Sequence, residues 1–358
     1  MPPNDMLLHQ ALRYTLYNQN YFRDFLEFII ISKKSINIWK DILYNYEHDI
    51  LLRLCARDNK LNIIKKYITK KEIIYNIGKI AAKYGHTDII KYLVEEIQID
   101  DNYQLSSIFC LASKNGHIEI VKYLHERGAD ITVDSNYSIR WAAHCGHLNV
   151  VKYLVESGGN PSDNGYNAIL WASSDGHYET VEYLYSIGAY SKEALSICFE
   201  EAAEYNFINI LKLLINDVKK EDSFIVVAIK NGHIDTVKYL HQNGWNIINP
   251  NYAKEAAYRG HVNILKYLYH YDKNVLNYEP QLKAGDAGRL EVLKYLHELG
   301  ADFEINDNYI INISARRGEL AIVKYLIEEI KININIDKLI PNAMNPSTTL
   351  EYLQQIKM

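Results

Sequence analysis

One dipeptide, Gly-His, returns along this chain at nearly even intervals, and that return leaves few folds open. It stands at Gly85-His86, Gly116-His117, Gly146-His147, Gly176-His177, Gly232-His233 and Gly260-His261. Asn206-Phe207, Gly288-Arg289 and Gly318-Glu319 occupy equivalent places, so nine anchors run from 85 to 318 at spacings of 26 to 31 residues. A fixed period of this length is the signature of a repeat architecture in which each unit borrows its missing interior from its neighbours.

The residues around each anchor repeat as well. Two small residues precede it, as in Ala81-Ala82, Ala142-Ala143, Ala202-Ala203 and Ala256-Ala257. An apolar stripe at helical spacing follows it, as in Ile120-Val121-Lys122-Tyr123-Leu124, and a second glycine closes the stripe at 128, 158, 188, 244 and 300. Each unit therefore reads as a short helix, a tight turn and a longer helix. The anchor glycine supplies the positive φ that ends the first helix, and Asn206 is the next best residue for such a place. The small pair allows helices to approach to about 8–10 Å. Leucine at Ala142 or Ala256 is expected to overpack that contact.

These motifs resemble the ankyrin repeat family: Ala-Ala-x-x-Gly-His, the apolar run, then Gly-Ala-Asp, seen as Gly128-Ala129-Asp130 and Gly300-Ala301-Asp302. The resemblance covers residues 76–330 and implies an all-α ankyrin-repeat solenoid of stacked helix-turn-helix units with short inter-repeat hairpin loops. The family's Thr-Pro-Leu-His opening is absent, replaced by Tyr137-Ser138-Ile139-Arg140 and similar runs; Glu279-Pro280 keeps the proline. Periods of 26 to 31 fall below the family's 33, and the missing residues are assigned to the hairpins. The Lys-Tyr-Leu wording is similar to ankyrin arrays of large DNA viruses of amoebae, which implies a host protein as partner.

The array is expected to span residues 50–336. Its first unit is degenerate, with Cys55-Ala56 in the small-residue place and Asn59 at the anchor. Residues 337–358 read as a degenerate capping repeat, in which Leu350-Glu351-Tyr352-Leu353 echoes a long helix and Pro341 and Pro346 disfavour the first one. Residues 1–49 read as a helical cap or docking segment. The spacing of 26 after Asn206 is a break in register, read as drift in a loop or as a kink.

Three rows of side chains invite a chemical reading. The anchor histidines could suggest zinc, but ligands must lie about 2.0–2.1 Å from one ion, whereas stacked units are about 8–10 Å apart. They are expected to bond backbone groups in the turn. Lysines recur at 91, 122, 152, 212, 238, 266, 294 and 324, with acids three residues before or four after most of them, as expected of a neutralised outer face. Tyrosines follow the lysines at 92, 123, 153, 183, 239, 267, 295 and 325. They are expected to pack between helices with the hydroxyl at the edge, rather than to stack bases. Trp141 and Trp171, just before the small pair, are placed in the core.

Composition narrows the function. A net charge of −5 removes the simplest case for a nucleic-acid or anionic-membrane binder. Cys55, Cys110, Cys145 and Cys198 form no CxxC and no disulfide framework, so reduced thiols and a cytoplasmic location are expected, in the host if the protein is viral. No secretory leader is read at the start, and the most apolar stretch, Phe25 to Ile31, is too short to span a bilayer. No phosphate loop, HExxH, GxSxG or kinase-like set occurs, so no enzyme activity, catalytic residue, metal or cofactor is expected.

The resemblance implies a monomeric scaffold that holds a partner protein on its concave face. The two residues before each anchor vary between units and are assigned to that face. Tyr84, Lys114, His144, Asp175, Tyr205, Tyr258, Arg259, Arg316 and Arg317 are the candidate partner-binding residues, since Tyr and Arg are enriched in interface hot spots. An adaptor that recruits a ubiquitin ligase through residues 1–49, and a nucleic-acid binder using the lysine and tyrosine rows, are the alternatives.

Overall fold

A computed structural model describes residues 52–53, 55–68, 71–99, 101–340 and 348–357. Residues 1–49, Pro341 and Pro346 lie outside it. No strand occurs among the described residues. They divide between Asp130 and Ile131 into two compact units.

The first unit contains α1 (Leu61–Tyr67), α2 (Lys71–Tyr84), α3 (Thr87–Glu95), α4 (Asn102–Lys114) and α5 (Ile118–Glu126). Helices α2 and α4 are the first helices of their repeats, and α3 and α5 the second. Firsts pack on firsts and seconds on seconds, while each repeat also closes on itself. Asp101 starts α4 by accepting the Gln104 N–H at 3.1 Å. The degenerate opening repeat behaves as its sequence predicts: Cys55 and Ala56 are buried, and Asn59 takes the left-handed conformation at φ 53°.

The second unit repeats the scheme. Its first helices are α6 (Val133–His144), α8 (Asp163–Ser174), α10 (Lys192–Glu204), α12 (Asp222–Lys230), α14 (Pro250–Arg259), α16 (Pro280–Asp286) and α18 (Ile305–Arg317). The second helices are α7 (Leu148–Glu156), α9 (Tyr178–Ser186), α11 (Ile208–Leu214), α13 (Ile234–Gln242), α15 (Val262–Tyr271), α17 (Leu290–Glu298) and α19 (Leu320–Lys324), the last running on as a π-helical turn, Tyr325–Ile330. The chain continues through α20 (Ile336–Leu339) to α21 (Thr348–Lys357), which packs on α19. The apolar stripe of each second helix faces inward. In α7, Val150, Val151 and Leu154 are fully buried, at the i, i+1, i+4 spacing of one helical face. Burial of each such side chain stabilises by roughly 1.5–3 kcal/mol.

The small pairs lie at helix contacts as expected. Ala142, Ala143, Ala256 and Ala257 are fully buried. Gly285 shows how tight the fit is, since a Cβ there would come within 2.8 Å of Ile310 on the next first helix.

One expectation needs correction. The short spacing after Asn206 does not interrupt the stacking. Helix α10 packs on α12 and α11 on α13, as elsewhere in this unit. The missing residues come from the helices, not from the hairpin alone: α11 has 7 residues where α7 and α9 have 9, and α12 has 9 where α10 has 13. In three connections the chain enters the first helix through three successive left-handed residues, 134–136, 164–166 and 306–308. Asp-Ser-Asn, Asn-Gly-Tyr and Asn-Asp-Asn stand there, mostly types that tolerate positive φ. In the first of them this turn immediately precedes Tyr137-Ser138-Ile139-Arg140, the run that stands in place of the Thr-Pro-Leu-His opening.

Candidate functional site: the first-helix face

What holds the repeats together must be separated from what is left to bind. Every anchor has positive φ, from Asn59 and Gly85 through Asn206 at 64° to Gly318 at 76°. The histidine that follows does not serve its own turn. Its Nε2 donates to the carbonyl two residues before the anchor of the preceding repeat: His86 to Arg57 at 2.6 Å, His117 to Lys83 at 3.0 Å, His177 to His144 at 2.9 Å, His233 to Glu204 at 2.7 Å and His261 to Lys230 at 3.0 Å. Arg289 replaces histidine and donates from Nε to Tyr258 at 3.0 Å. The ring also lies on the preceding glycine. A Cβ at Gly85 would be 2.7 Å from His117, at Gly146 2.5 Å from His177, and at Gly232 2.7 Å from His261. Phe207 keeps this seat on Gly176 without the hydrogen-bonding nitrogen. The anchor glycine thus has a second cause beyond its dihedral.

The outer face has a parallel link. Lysines sit over tyrosine rings of the following repeat: Lys65 over Tyr92 at 4.8 Å, Lys91 over Tyr123 at 5.7 Å, Lys152 over Tyr183 at 5.4 Å, Lys266 over Tyr295 at 5.3 Å and Lys324 over Tyr352 at 5.0 Å. This corrects the expected pairing of the row with acids on its own helix, which Lys294 and Glu291 make at 2.8 Å. The tyrosine hydroxyls reach the edge, as Tyr123 does to Glu95 at 3.0 Å and Tyr352 to Glu328 at 2.7 Å. Lys91, Lys152, Lys266 and Lys324 of the lysine row are therefore engaged in joining repeats.

The first-helix face carries the variation. Tyr84, Tyr205 and Tyr258 are 45%, 54% and 44% exposed. Tyr84 stacks on His86, Tyr205 on Phe207, and Arg259 lies over Tyr258 at 5.9 Å while pairing with Glu255 at 3.0 Å. Lys114 is half-buried, and Arg316 and Arg317 are exposed on the last turn of α18. Asp175 is exposed and meets half-buried His144 at 2.8 Å. Of the nine predicted residues, two pairs are brought together: His144 with Asp175, and Tyr258 with Arg259. Arg316 and Arg317 share the last turn of α18, and Tyr84, Lys114 and Tyr205 stand on separate repeats.

Trp141 and Trp171 are not core residues. Both are half-buried on the first-helix face, where their rings meet edge-on at 5.7 Å. His144 lies 5.1 Å from Trp141 and 5.7 Å from Trp171. The Arg140 guanidinium lies 5.7 Å from Trp171 and 5.6 Å from Tyr137, held by the carbonyls of Asp134 at 2.6 Å and Ser135 at 3.3 Å. Beside them α10 presents Glu200, Glu201 and Glu204. Glu201 is pushed up to about 7 by burial first, then by Glu204, Asp175 and Glu200. The signal for these residues was helical spacing, since 141 and 171 lie four positions before 145 and 175 and so share their face.

The raised Glu201 carboxyl sets the sign of a pH effect. Its folded value exceeds the ordinary 4.5, so the folded state binds the proton more tightly between 4.5 and about 7, and stability falls as pH rises through that window. Glu201→Gln removes this slope and melts higher than the parent at pH 8, by about 1 kcal/mol or less after screening by solvent. Melting curves at pH 5 and 8 check it; a Gln variant with the parent's slope contradicts it.

Burial pushes the Cys55 and Cys198 thiols up to about 12, which keeps them protonated and poor nucleophiles. No group of three or more metal-ligating side chains occurs among the described residues, and no described helix is long and apolar enough to cross a membrane.

The family comparison agrees with this geometry. The family model for ankyrin repeats (3 copies) matches residues 52–135, 134–193, 199–277 and 253–338. The chain belongs to the ankyrin-repeat family. Among solved structures it is similar to the human ASB11 ankyrin repeat domain, at 16% identity and a TM-score of 0.28, over 69% of this chain and 96% of that one. Comparison with curated proteins returned no relative, so the likeness to amoebal-virus arrays gains no support.

Proposed function

We propose that the chain is a non-enzymatic scaffold that holds a partner protein on its first-helix face, the concave face of the family. One observation carries this reading. The contacts that join repeats recur from repeat to repeat, whereas the exposed side chains before the anchors change at each step. A surface that varies on a constant frame is what recognition of one extended partner requires. Ankyrin repeats are in general protein-interaction modules, which supports the same conclusion.

The seating of Lys91, Lys152, Lys266 and Lys324 on tyrosine rings supports the scaffold reading over the nucleic-acid one. The adaptor reading concerns residues 1–49, and a host partner rests on the viral resemblance alone. Residues 1–49 and 337–358 are taken as caps, and the protein as a cytoplasmic monomer.

The test is affinity purification from the native cell with mass spectrometry, comparing the parent with Tyr205→Ala/Tyr258→Ala and with an outer-face control, Lys212→Ala/Lys238→Ala. The principal partner is expected to be lost from the first variant and kept by the control. Retention by the first and loss from the control would contradict the assignment of the face. Deleting residues 1–49 leaves the principal partner bound if they are a cap.

A further inference from the structure

The first-helix face is not uniform in charge. Helices α8 and α10, with Asp175 at the end of α8, carry Asp163, Asp175, Glu193, Glu200, Glu201 and Glu204 against Lys192 alone. Both belong to the second compact unit and pack side by side. Arg140, a cation of the neighbouring α6, is held by the Asp134 and Ser135 carbonyls, and the His144 ring faces Asp175. Lys230 stands one helix along, at the end of α12.

Two features distinguish this patch from a solvated acidic surface. Glu201 is half-buried, and its Oε2 is shut off from solvent with no hydrogen-bond partner among the described residues. Burial of this oxygen disfavours the ionised carboxylate, and a positive charge brought to the face offsets that cost. The Trp141 and Trp171 rings both meet His144, which faces Asp175, and this aromatic surface already has a guanidinium against it, that of Arg140. On the other side α12 presents the half-buried Val226 and Val227. The order across α6, α8, α10 and α12 is therefore aromatic, acidic, apolar.

We infer that this face docks a segment of a partner protein that carries arginine or lysine between apolar residues, with the basic side chains on Glu200, Glu201 and Glu204 and an apolar one against Trp141 and Trp171. Charge complementarity selects this occupant. A polyanion is repelled by the same carboxylates, and an uncharged helix brings no positive charge to offset them. The inference rests on the scaffold reading and adds the chemistry of the partner to it.

The test uses the full chain and a display library of random 12-residue peptides, selected against the parent and against E200Q/E201Q/E204Q. Selection on the parent is expected to enrich peptides with Arg or Lys next to apolar residues. Synthetic copies should bind the Gln variant at least tenfold more weakly, and should lose a similar factor when their own Arg or Lys is replaced by Gln. That second arm needs no change in the protein. Peptides without basic enrichment that lose binding to Trp171→Ala but bind the Gln variant unchanged would overturn the inference and leave the scaffold reading intact. Basic peptides indifferent to the Gln variant would overturn it as well. Recovery of no peptide that depends on this face would sink both readings.

Discussion

Gly146→Ala is expected to destabilise the chain by roughly 2–4 kcal/mol, whereas Gly300→Ala costs about 1 kcal/mol. Both glycines have positive φ, 72° and 84°. An added methyl is penalised at each for the left-handed backbone. Their surroundings differ. At Gly300 a Cβ meets no atom within 4 Å, whereas at Gly146 it falls 2.5 Å from Nδ1 of His177. That imidazole is fixed by its bond to the His144 carbonyl and cannot swing away without losing it. Urea unfolding of both variants checks the difference. Equal losses would mean that the dihedral alone explains the glycine and that the seat has no energetic weight.

The second large effect concerns the small pairs. Ala142→Leu and Ala256→Leu should each cost roughly 1–3 kcal/mol, because both positions are fully buried and each leucine adds three carbons at a helix contact. The 2.8 Å approach of a built Cβ at Gly285 to Ile310 indicates how little slack such contacts have. Unchanged melting temperatures in both variants would contradict the assignment of these alanines to the interior.

The parts of the fold legible in the sequence are those set within one repeat. The apolar stripe, the small pair and the left-handed anchor each have a local cause, so Val150, Ala142 and Gly146 could be placed from spacing. Links between repeats were not legible in the same way. A period says that repeats are alike, but not which atom of one meets which atom of the next. The bond from His177 to the His144 carbonyl and the seat of Lys152 on Tyr183 depend on that offset. The same limit affected the lysine row, where acids on the same helix looked like the nearest partners. At the site, the sequence places the positions just before the anchor on the variable face, and puts Trp141 and Trp171 in the core because they stand just before the small pair. Their spacing of four from Cys145 and Asp175 pointed to the surface instead. The left-handed entry at Asp134, Ser135 and Asn136 was unreadable as a turn because no glycine marks it.

The central claim is that each repeat is completed by its neighbour through the histidine of one and the glycine turn of the other. A double-mutant cycle on Gly146→Ala and His177→Ala, followed by urea unfolding, measures this link directly. Removing the imidazole should relieve much of the clash made by the new methyl, so the double variant is expected to be more stable than the sum of the single losses predicts, by about 1 kcal/mol or more. Losses that add within about 0.5 kcal/mol would show that the two residues act independently, and the account of how the repeats hold together would be wrong.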